Sequence, residues 1–242
     1  MAATSYLRSL ERSRLARTRV DRPAVFTMHG REWDLRPDVF APIYSPSTGA
    51  AMEFLGLADP LGLPRTGSFL EIGCGTGIIA VSAALAGCDR VVATDINPDA
   101  VANAAANAAR HGVADRVAAT CSDLFDRLDR DERFDVIFWS SNYVAAPAGY
   151  EYRNAHERAY VDPGYRTHRR FLAEAPRWLT PGGAILLHFS TRGDLVGLVQ
   201  SATENGQSLE VLRSQVIQEG DVSVEHMLIE VVGAARPAEL GS

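Results

Sequence analysis

A short glycine-rich segment constrains the fold of this 242-residue chain more than any other feature. The segment reads LEIGCGTG, from Leu70 to Gly77, and it completes an apolar run typical of a buried strand. The residues after it, IIAVSAALAG, predict a helix that ends at Gly87. A strand that turns through glycines into a helix is the usual start of an α/β unit, and it places backbone N–H groups where a ligand can bind.

Strand and helix patterns alternate along the rest of the chain. RVVATD predicts a second strand, and NPDAVANAAANAARHG predicts a helix with Asn97 as N-cap and Gly112 just after its end. RVAATCSDLF, RFDVIFWSS and AILLHFS predict three more strands, a helix is expected before the last of these, and another helix is expected around residues 194–204. Residues 208–232 predict a hairpin. The predicted fold class is α/β, a Rossmann-like doubly wound and mostly parallel sheet with a C-terminal antiparallel hairpin at its edge.

The residues before this pattern predict a smaller unit. Six arginines from Arg8 to Arg22 interleave with leucines, which favours an amphipathic helix with a solvated basic face. AVFTMHGREWDL predicts a β-hairpin, and a further helix is expected to begin near Ser45 or Ser47 as N-cap. We therefore expect residues 1–58 to form a helical and hairpin cap and residues 59–242 to form the main domain, with a Pro/Gly-rich stretch between them.

Composition argues against several other classes of protein. The formal net charge is -6 and all 24 basic residues are arginine, which does not favour a nucleic-acid partner. No apolar run approaches the roughly 20 residues of a membrane span, and the first residues lack the apolar centre of a secretory signal, so we expect a cytoplasmic chain without a membrane partner. Cys74, Cys88 and Cys121 match neither a disulfide framework nor a metal site. The sequence does not specify an oligomeric state.

Two acidic residues accompany the glycines. The loop follows the pattern GxGxG from Gly73, whereas a dinucleotide fingerprint would need glycine in place of Ile78. Glu71 precedes the loop, and Asp95 ends the second strand, where a carboxylate can accept hydrogen bonds from both hydroxyls of a ribose. This pattern disfavours a nicotinamide dehydrogenase and favours another nucleoside ligand.

LEIGCGTG followed by TDINPDAV resembles the motifs of the class I S-adenosylmethionine-dependent methyltransferases, over roughly residues 68–232. The resemblance implies S-adenosyl-L-methionine as cofactor and S-adenosyl-L-homocysteine as product, with the glycine loop holding the methionine end and Asp95 holding the ribose. SDLF resembles a third motif, in which Asp123 would meet the adenine amino group and Leu124 would pack on the ring. The cofactor residues implied are Glu71, Gly73, Cys74, Gly75, Gly77, Asp95, Ile96, Asn97, Asp123, Leu124 and Ser140, with Tyr44 and Ser47 from the preceding segment.

FWSSNYV, residues 138–144, lies at the fourth motif of methyltransferases that act on planar nitrogens, and the chain is most similar overall to the release-factor glutamine N-methyltransferases. Their motif is Asn-Pro-Pro-Tyr, in which the asparagine accepts a hydrogen bond from the target amino group and the aromatic ring packs on the target. Here Ser140 replaces the asparagine, Ser141 and Asn142 replace the prolines, and Tyr143 matches the aromatic residue. Because a serine hydroxyl donates as well as accepts, we expect substrate recognition to have diverged.

Methyl transfer requires alignment of the reactants and, for a protonated nucleophile, a proton acceptor. The candidate catalytic residues are Ser140, Asn142, Tyr143 and His156. A segment rich in aromatic residues is predicted to form a substrate lid, and its candidate lining residues are Tyr150, Glu151, Tyr152, His156 and Glu157. His188 is either a residue that reaches the site from the side or a satisfied core histidine.

We expect an enzyme that methylates a nitrogen or oxygen of a small-molecule acceptor, such as a specialised metabolite. The first alternative is a protein side-chain N-methyltransferase whose basic N-terminal helix docks a translation factor. A protein substrate is less expected because the Asn-Pro-Pro-Tyr motif is lost. The second alternative is an inactive subunit that binds the cofactor, and the intact glycine loop with Asp95 and Asp123 argues against it.

Overall fold

A computed structural model describes residues 2–58 and 66–233 of the chain. The helices are α1 (Ala2–Thr18), α2 (Ser47–Phe54), α3 (Ile78–Leu85), α4 (Pro98–Arg110), α5 (Arg166–Glu174) and α6 (Leu195–Glu204). The strands are β1 (Val25–Met28), β2 (Arg31–Asp34), β3 (Ser68–Ile72), β4 (Arg90–Asp95), β5 (Val117–Cys121), β6 (Phe134–Ser140), β7 (Ala145–Ala146), β8 (Asp162–Pro163), β9 (Leu179–Ser190), β10 (Gln207–Glu219) and β11 (Val222–Gly233). Short 3-10 helices span Pro42–Tyr44, Ala155–Ala159 and Ala175–Trp178.

The central sheet has seven strands in the order β10-β11-β9-β6-β3-β4-β5. Strands β9, β6, β3, β4 and β5 are parallel, which confirms the predicted doubly wound fold. The chain runs outward from β3 to β5 and then returns to the other side of β3 as β6. At such a reversal of strand order, a crevice opens beyond the carboxyl ends of the strands.

The C-terminal hairpin forms the edge of this sheet, with one difference from the expected arrangement. Its second strand, β11, is antiparallel to both β9 and β10. The outermost strand β10 therefore runs in the same direction as the five parallel strands, and within this sheet β11 alone is reversed. The helix α6 makes this possible because it returns the chain from the end of β9 to the far edge.

Both faces of the sheet are buried. Phe69 of β3 and Phe138 of β6 stack with their ring centroids 6.4 Å apart in one apolar cluster. Leu70 and Ile137, the adjacent residues, belong to a second cluster on the opposite face. Since successive side chains of a strand point to opposite faces, a strand covered on both sides needs a nearly continuous apolar sequence. This explains the runs that predicted these strands.

Two buried asparagines attach the β1–β2 hairpin to α4. Asn103 accepts a hydrogen bond from the backbone N of Arg36 (2.8 Å) and donates one to the backbone O of Asp34 (2.8 Å). Asn107 accepts from the backbone N of Asp34 (2.8 Å) and donates to the backbone O atoms of Asp34 (3.1 Å) and Thr76 (2.8 Å). The two residues are four positions apart and therefore share one face of the helix. Their amides satisfy the backbone groups that a neighbouring strand would otherwise satisfy.

The cap and the sheet share one hydrophobic core. Trp33 and Met52 belong to the same buried cluster as Phe69 of the sheet and Ala104 of α4. Residues 59–65 of the predicted Pro/Gly-rich stretch lie outside the described residues, so the division at residue 58 stays a prediction. Within the parts of the chain that the structure describes, no helix is long and apolar enough to cross a bilayer.

One local prediction for the cap is wrong. The N-cap of α2 is Pro46, with φ of -72°, rather than Ser45 or Ser47, because the ring of proline already fixes a backbone angle suited to a helix start.

The helix α1 has the predicted solvated basic face, but its leucines are not all on the other side. Leu7 is 55% exposed and Leu15 is 51% exposed, whereas Leu10 is partly buried against a small apolar cluster. The fully buried positions of α1 are small residues, namely Ser9, Ser13 and Ala16.

We expect Asn107→Leu to lower the free energy of unfolding by about 2 to 4 kcal/mol. The substitution has a similar volume but removes the partner of the backbone N of Asp34 and that of the backbone O of Thr76, and each such loss costs about 1 to 3 kcal/mol. Urea denaturation measures the change. Ala105→Leu, on the exposed side of the same helix, is the control and should change the value by less than about 0.5 kcal/mol. Equal stability of the two variants would contradict this role of Asn107.

Candidate active site

A cavity of about 360 Å³ lies at the carboxyl ends of β3, β4 and β6. Its volume is in the range of about 300 to 1,000 Å³ that is typical of small-molecule sites. Most of the predicted cofactor residues line it, namely Glu71, Gly73, Cys74, Gly75, Asp95, Ile96, Asn97, Asp123, Leu124, Ser140, Tyr44 and Ser47. The predicted catalytic residues Ser140, Asn142, Tyr143 and His156 line the same cavity. The structure therefore brings these two predicted sets together.

Asp95 connects the glycine loop to the start of α4. Its Oδ2 accepts a hydrogen bond from the backbone N of Gly75 (2.9 Å), and its Oδ1 accepts one from the backbone N of Asn97 (2.9 Å). Burial raises the pKa of Asp95, and these two N–H groups oppose the rise. Each carboxylate oxygen keeps a second lone pair, so the group fits the two hydroxyls of a ribose.

Gly75 and Gly77 serve different purposes, although both have positive φ (54° and 76°). A Cβ on Gly75 would meet no heavy atom within 4 Å, and Gly75 lines the cavity, so the loop leaves open space here for a ligand. A Cβ on Gly77 would lie 2.6 Å from the Cβ and 2.7 Å from the Cα of Ala104. Gly77 does not line the cavity; it allows the close approach of α4.

Glu71 is buried at the end of β3, next to the start of α3. Its Oε2 accepts a hydrogen bond from the backbone N of Ala80 (2.8 Å), one of the free N–H groups of the first helical turn. Burial raises the pKa of Glu71 well above its ordinary value. The carboxyl group thus holds the glycine loop against the helix, and its predicted contact with a cofactor stays a prediction.

The predicted adenine end of the site is held in an unusual backbone conformation. Leu124 has φ of 53°, a left-handed angle that costs a non-glycine residue about 1 to 2 kcal/mol. Its side chain is buried and lines the cavity. The neighbouring Asp123 pairs with Arg170 of α5 at 3.1 Å. The sequence did not indicate Arg170, because α5 is distant in the chain from the motif that it contacts.

Two of the predicted cofactor residues have side chains that already serve the fold. The Oδ1 of Asn97 caps α4 by accepting from the backbone N of Asp99 (3.1 Å), and its Nδ2 donates to the backbone O of Asp38 (2.9 Å). The hydroxyl of Ser47 lies 3.0 Å from that of Ser45. By contrast, the hydroxyl of Tyr44 is buried without a hydrogen-bond partner among the described residues.

Hydrogen bonds hold the turn at FWSSNYV, where the related motif has prolines. Ser141 donates its hydroxyl hydrogen to the backbone O of His188 (3.1 Å). Asn142 donates through Nδ2 to the backbone O atoms of Arg158 and Val161, both at 2.9 Å. Since carbonyl oxygens only accept, these two bonds fix the orientation of the amide. The Oδ1 of Asn142 is left as a buried acceptor without a partner among the described residues.

Tyr143 and His156 are uncharged components of the site. Burial raises the pKa of Tyr143 to about 12, and its ring meets that of His188 edge-on at 6.2 Å. Burial also lowers the pKa of His156 to about 4, with a smaller contribution from the positive charge of Arg22. The Nδ1 of His156 lies 2.8 Å from the hydroxyl of Ser13 in α1.

The predicted aromatic lid only partly faces the cavity. Tyr152 and His156 line it, whereas Tyr150 donates its hydroxyl hydrogen to Glu157 (2.7 Å) away from it, and Glu151 is exposed. The Tyr150–Glu157 bond stiffens the segment between β7 and β8. Two of the five residues therefore stay candidates for contact with a substrate.

A hydrogen-bonded chain of side chains leads from the cavity into the sheet. The hydroxyl of Ser140 lies 3.1 Å from Nδ1 of His188, and Nε2 of His188 lies 3.1 Å from Nδ1 of His226. The Nε2 of His226 lies 2.9 Å from Oε1 of Glu219, which also lines the cavity. The sequence indicated Ser140 and His188 but missed the other two, because the pairing of β9 with β11 cannot be read from either segment alone.

Comparison with known proteins identifies the class. Residues 69–183 match the family model of a methyltransferase domain. The fold is similar to that of the ribosomal protein L11 methylase from Lactobacillus delbrueckii subsp. bulgaricus, with a TM-score of 0.51 and 19% sequence identity over 75% of this chain and 77% of that one. Together with the glycine loop and Asp95, the family match and the curated relatives show that the chain carries a class I S-adenosylmethionine-dependent methyltransferase domain.

Within that class, two curated relatives act on glutamine. The chain is 34% identical over 184 residues to the release factor glutamine methyltransferase of Bordetella pertussis, covering 70% of this chain and 65% of the relative. It is 36% identical over 136 residues to the ribosomal protein uL3 glutamine methyltransferase of Burkholderia pseudomallei, covering 50% of this chain and 44% of the relative. The chain thus spans less than two thirds of the length of either relative.

We expect Gly77→Ala to destabilise the protein more than Gly75→Ala. Both variants place a side chain at positive φ, which costs about 1 to 2 kcal/mol, but only Gly77→Ala also collides with α4, which adds about 1 to 3 kcal/mol. Urea denaturation without cofactor measures the difference. Calorimetry should show the opposite order for cofactor affinity: Gly75→Ala weakens S-adenosylmethionine binding by roughly tenfold or more, because its Cβ enters the open side of the loop. Equal stability of the two variants would contradict the packing role of Gly77.

Proposed function

We propose that the protein methylates the side-chain amide nitrogen of a glutamine in a protein of the translation apparatus. When bound, S-adenosylmethionine supplies a methyl carbon activated by a positively charged sulfur. The observation that carries the proposal is the fixed amide of Asn142, whose Oδ1 is a buried acceptor without a partner among the described residues. A buried acceptor of this kind costs about 1 to 3 kcal/mol until a donor reaches it, and an amide N–H of a substrate is such a donor.

The electrostatics of this part of the cavity also favour a neutral, planar donor. Near neutral pH, Tyr143 and His156 are uncharged because burial holds their pKa values at about 12 and about 4. Ser140 and Asn142 each offer an oxygen, so two acceptors are available to the two hydrogens of a primary amide. A cationic amine would find no carboxylate among these four side chains.

The helix α1 supports a macromolecular substrate. It lines one side of the cavity through Arg12, Leu15 and Arg19. Leu7 and Leu15 are about half exposed on this helix, and burying such apolar side chains against a partner is favourable. Arginine and apolar side chains together at the mouth of a site are a suitable surface for docking a protein. Similarity to methyltransferases of a release factor and of a ribosomal protein favours the same class of partner.

A small-molecule acceptor is the second candidate, and the cover over the cavity favours it. Ser9 donates its hydroxyl hydrogen to the backbone O of Tyr160 (2.9 Å), and Ser13 lies 2.8 Å from His156. These bonds hold α1 against residues 155–160 above the cavity. A small molecule needs less opening of this cover than a side chain that remains attached to a folded protein.

Transfer of a labelled methyl group will distinguish the two candidates. We expect calorimetric binding of S-adenosylmethionine, and label transfer to a glutamine when release factors and ribosomal protein uL3 are offered beside small amines, alcohols and carboxylates. Mass spectrometry of the labelled protein identifies the residue. Label on a small molecule alone would favour the second candidate, and cofactor binding without label on any acceptor would contradict the proposed activity.

We expect Asn142→Ala to lower kcat/KM for the acceptor by roughly 10- to 100-fold, the loss of one hydrogen bond to a buried group. The dissociation constant for S-adenosylmethionine should change by less than about twofold, because most of the candidate cofactor residues follow β3, β4 and β5. Ser141→Ala is the matched control, since it removes a bond that holds the same turn but offers no free acceptor. A loss in Ser141→Ala as large as that in Asn142→Ala would show that Asn142 acts only through the turn.

A further inference from the structure

We propose that His188, His226 and Glu219 are positioning residues that hold the hydroxyl of Ser140 as a pure hydrogen-bond acceptor toward the methyl acceptor. The inference rests on the proposed function in one respect, namely that the group to be methylated carries an N–H donor. Its structural part concerns only the direction of three hydrogen bonds, and that direction can be measured without any acceptor.

The hydrogen-bonded side chains are brought together by the register of strands β6, β9 and β11, and the two histidines among them are buried. Ser140 of β6 pairs directly with His188 of β9 in the parallel ladder. His226 of β11 pairs with Ser190, two residues from His188, which places both imidazoles on one face of the sheet. Both histidine side chains are fully buried, and their rings lie end to end and nearly parallel, with centroids 5.2 Å apart and an interplanar angle of 5°. The rings therefore have no access to water as an alternative partner.

The charge of Glu219 sets the donor-to-acceptor direction of these hydrogen bonds. Glu219 forms ion pairs with Arg192 and, at 3.8 Å, with Arg12. A carboxylate paired with two guanidinium groups only accepts hydrogen bonds. The Nε2 of His226 must therefore donate to Glu219, across the observed distance of 2.9 Å.

Each imidazole ring then determines which nitrogen of the next ring donates and which accepts. A neutral imidazole has one donor and one acceptor, so in the arrangement that we propose a neutral His226 donates through Nε2 and accepts through Nδ1. His188 in turn donates through Nε2 and accepts through Nδ1. Burial lowers the pKa of His188 to about 3, so this ring is neutral near neutral pH. In this arrangement Ser140 donates its single hydrogen to Nδ1 of His188.

This direction changes what Ser140 offers to the cavity. A free serine hydroxyl can present either a hydrogen or a lone pair to a ligand. With its hydrogen directed to His188, the Oγ of Ser140 has only lone pairs left for the cavity. In hydrogen bonding it then resembles the amide oxygen of the asparagine that related enzymes have at this position. The hydrogen-bonded side chains thereby favour a substrate whose methylated group donates a hydrogen bond, such as an amide N–H. They disfavour a substrate group that can only accept one.

Histidine tautomers measured by NMR test the inference. In protein labelled with ¹⁵N-histidine, we expect both rings to be neutral with hydrogen on Nε2 near neutral pH. Glu219→Gln keeps the size of the side chain but replaces the charge with a group that can also donate, so we expect a mixture of tautomers in both rings. Glu225→Gln, on the strand that carries His226, makes the same change of charge outside the chain of hydrogen bonds and should leave the tautomers unchanged.

Kinetics with an identified acceptor provide the second measurement. We expect Glu219→Gln to raise KM for the acceptor by roughly 5- to 10-fold, with smaller effects on kcat and on the affinity for S-adenosylmethionine. Hydrogen on Nδ1 of His188 in the unsubstituted protein, or unchanged tautomers in Glu219→Gln, would overturn the inference. The expected tautomers in a protein that methylates no acceptor would instead overturn the proposed function and leave the inference intact.

Discussion

The carboxylate of Asp95 is the interaction on which the site depends. It accepts the backbone N–H groups of Gly75 and Asn97, and its own backbone O accepts from the N of Ser122 (2.9 Å). The glycine loop, the start of α4 and the SDLF segment are therefore all held by the end of β4. Because these loops follow three adjacent parallel strands, one residue at the central strand end can fix the spacing of all of them. This residue therefore fixes the relative positions of three loops that line the cavity.

Asparagine side chains form hydrogen bonds to backbone groups that have no neighbouring strand to pair with. Asn103 and Asn107 bond the edge of β2, Asn97 caps α4 and bonds the segment before it, and Asn142 bonds the end of the 155–161 segment. An amide offers a donor and an acceptor in one plane, as a peptide group does. These residues attach the cap and the substrate side of the cavity to the sheet, and they explain why a small cap can be held firmly over a large domain.

The sequence predicted the sheet and most of the residues that line the glycine-loop side of the cavity, because both depend on local patterns. The strands are apolar runs, Asn97 is a local cap, and the glycine loop is a contiguous motif. The hydrogen bonds that link Ser140 to Glu219 through two histidines could not be predicted, since they join residues of β6, β9, β10 and β11 through strand register. The two buried serines of α1 were also missed, because their partners, His156 and the backbone O of Tyr160, lie in a segment far along the chain.

The loss of Asn-Pro-Pro-Tyr does not by itself indicate lost chemistry. Prolines restrict a turn through the backbone angle φ. Here the same turn is restricted by side-chain bonds, from Ser141 to the backbone of His188 and from Asn142 to the backbones of Arg158 and Val161. What such a turn must present is an acceptor for the target N–H. In our proposals, two oxygens meet that requirement: the Oδ1 of Asn142, which has no partner among the described residues, and the directed hydroxyl of Ser140. A different set of residues can therefore meet the same physical requirement, which makes the hydrogen-bond pattern a better guide to the substrate than the motif letters.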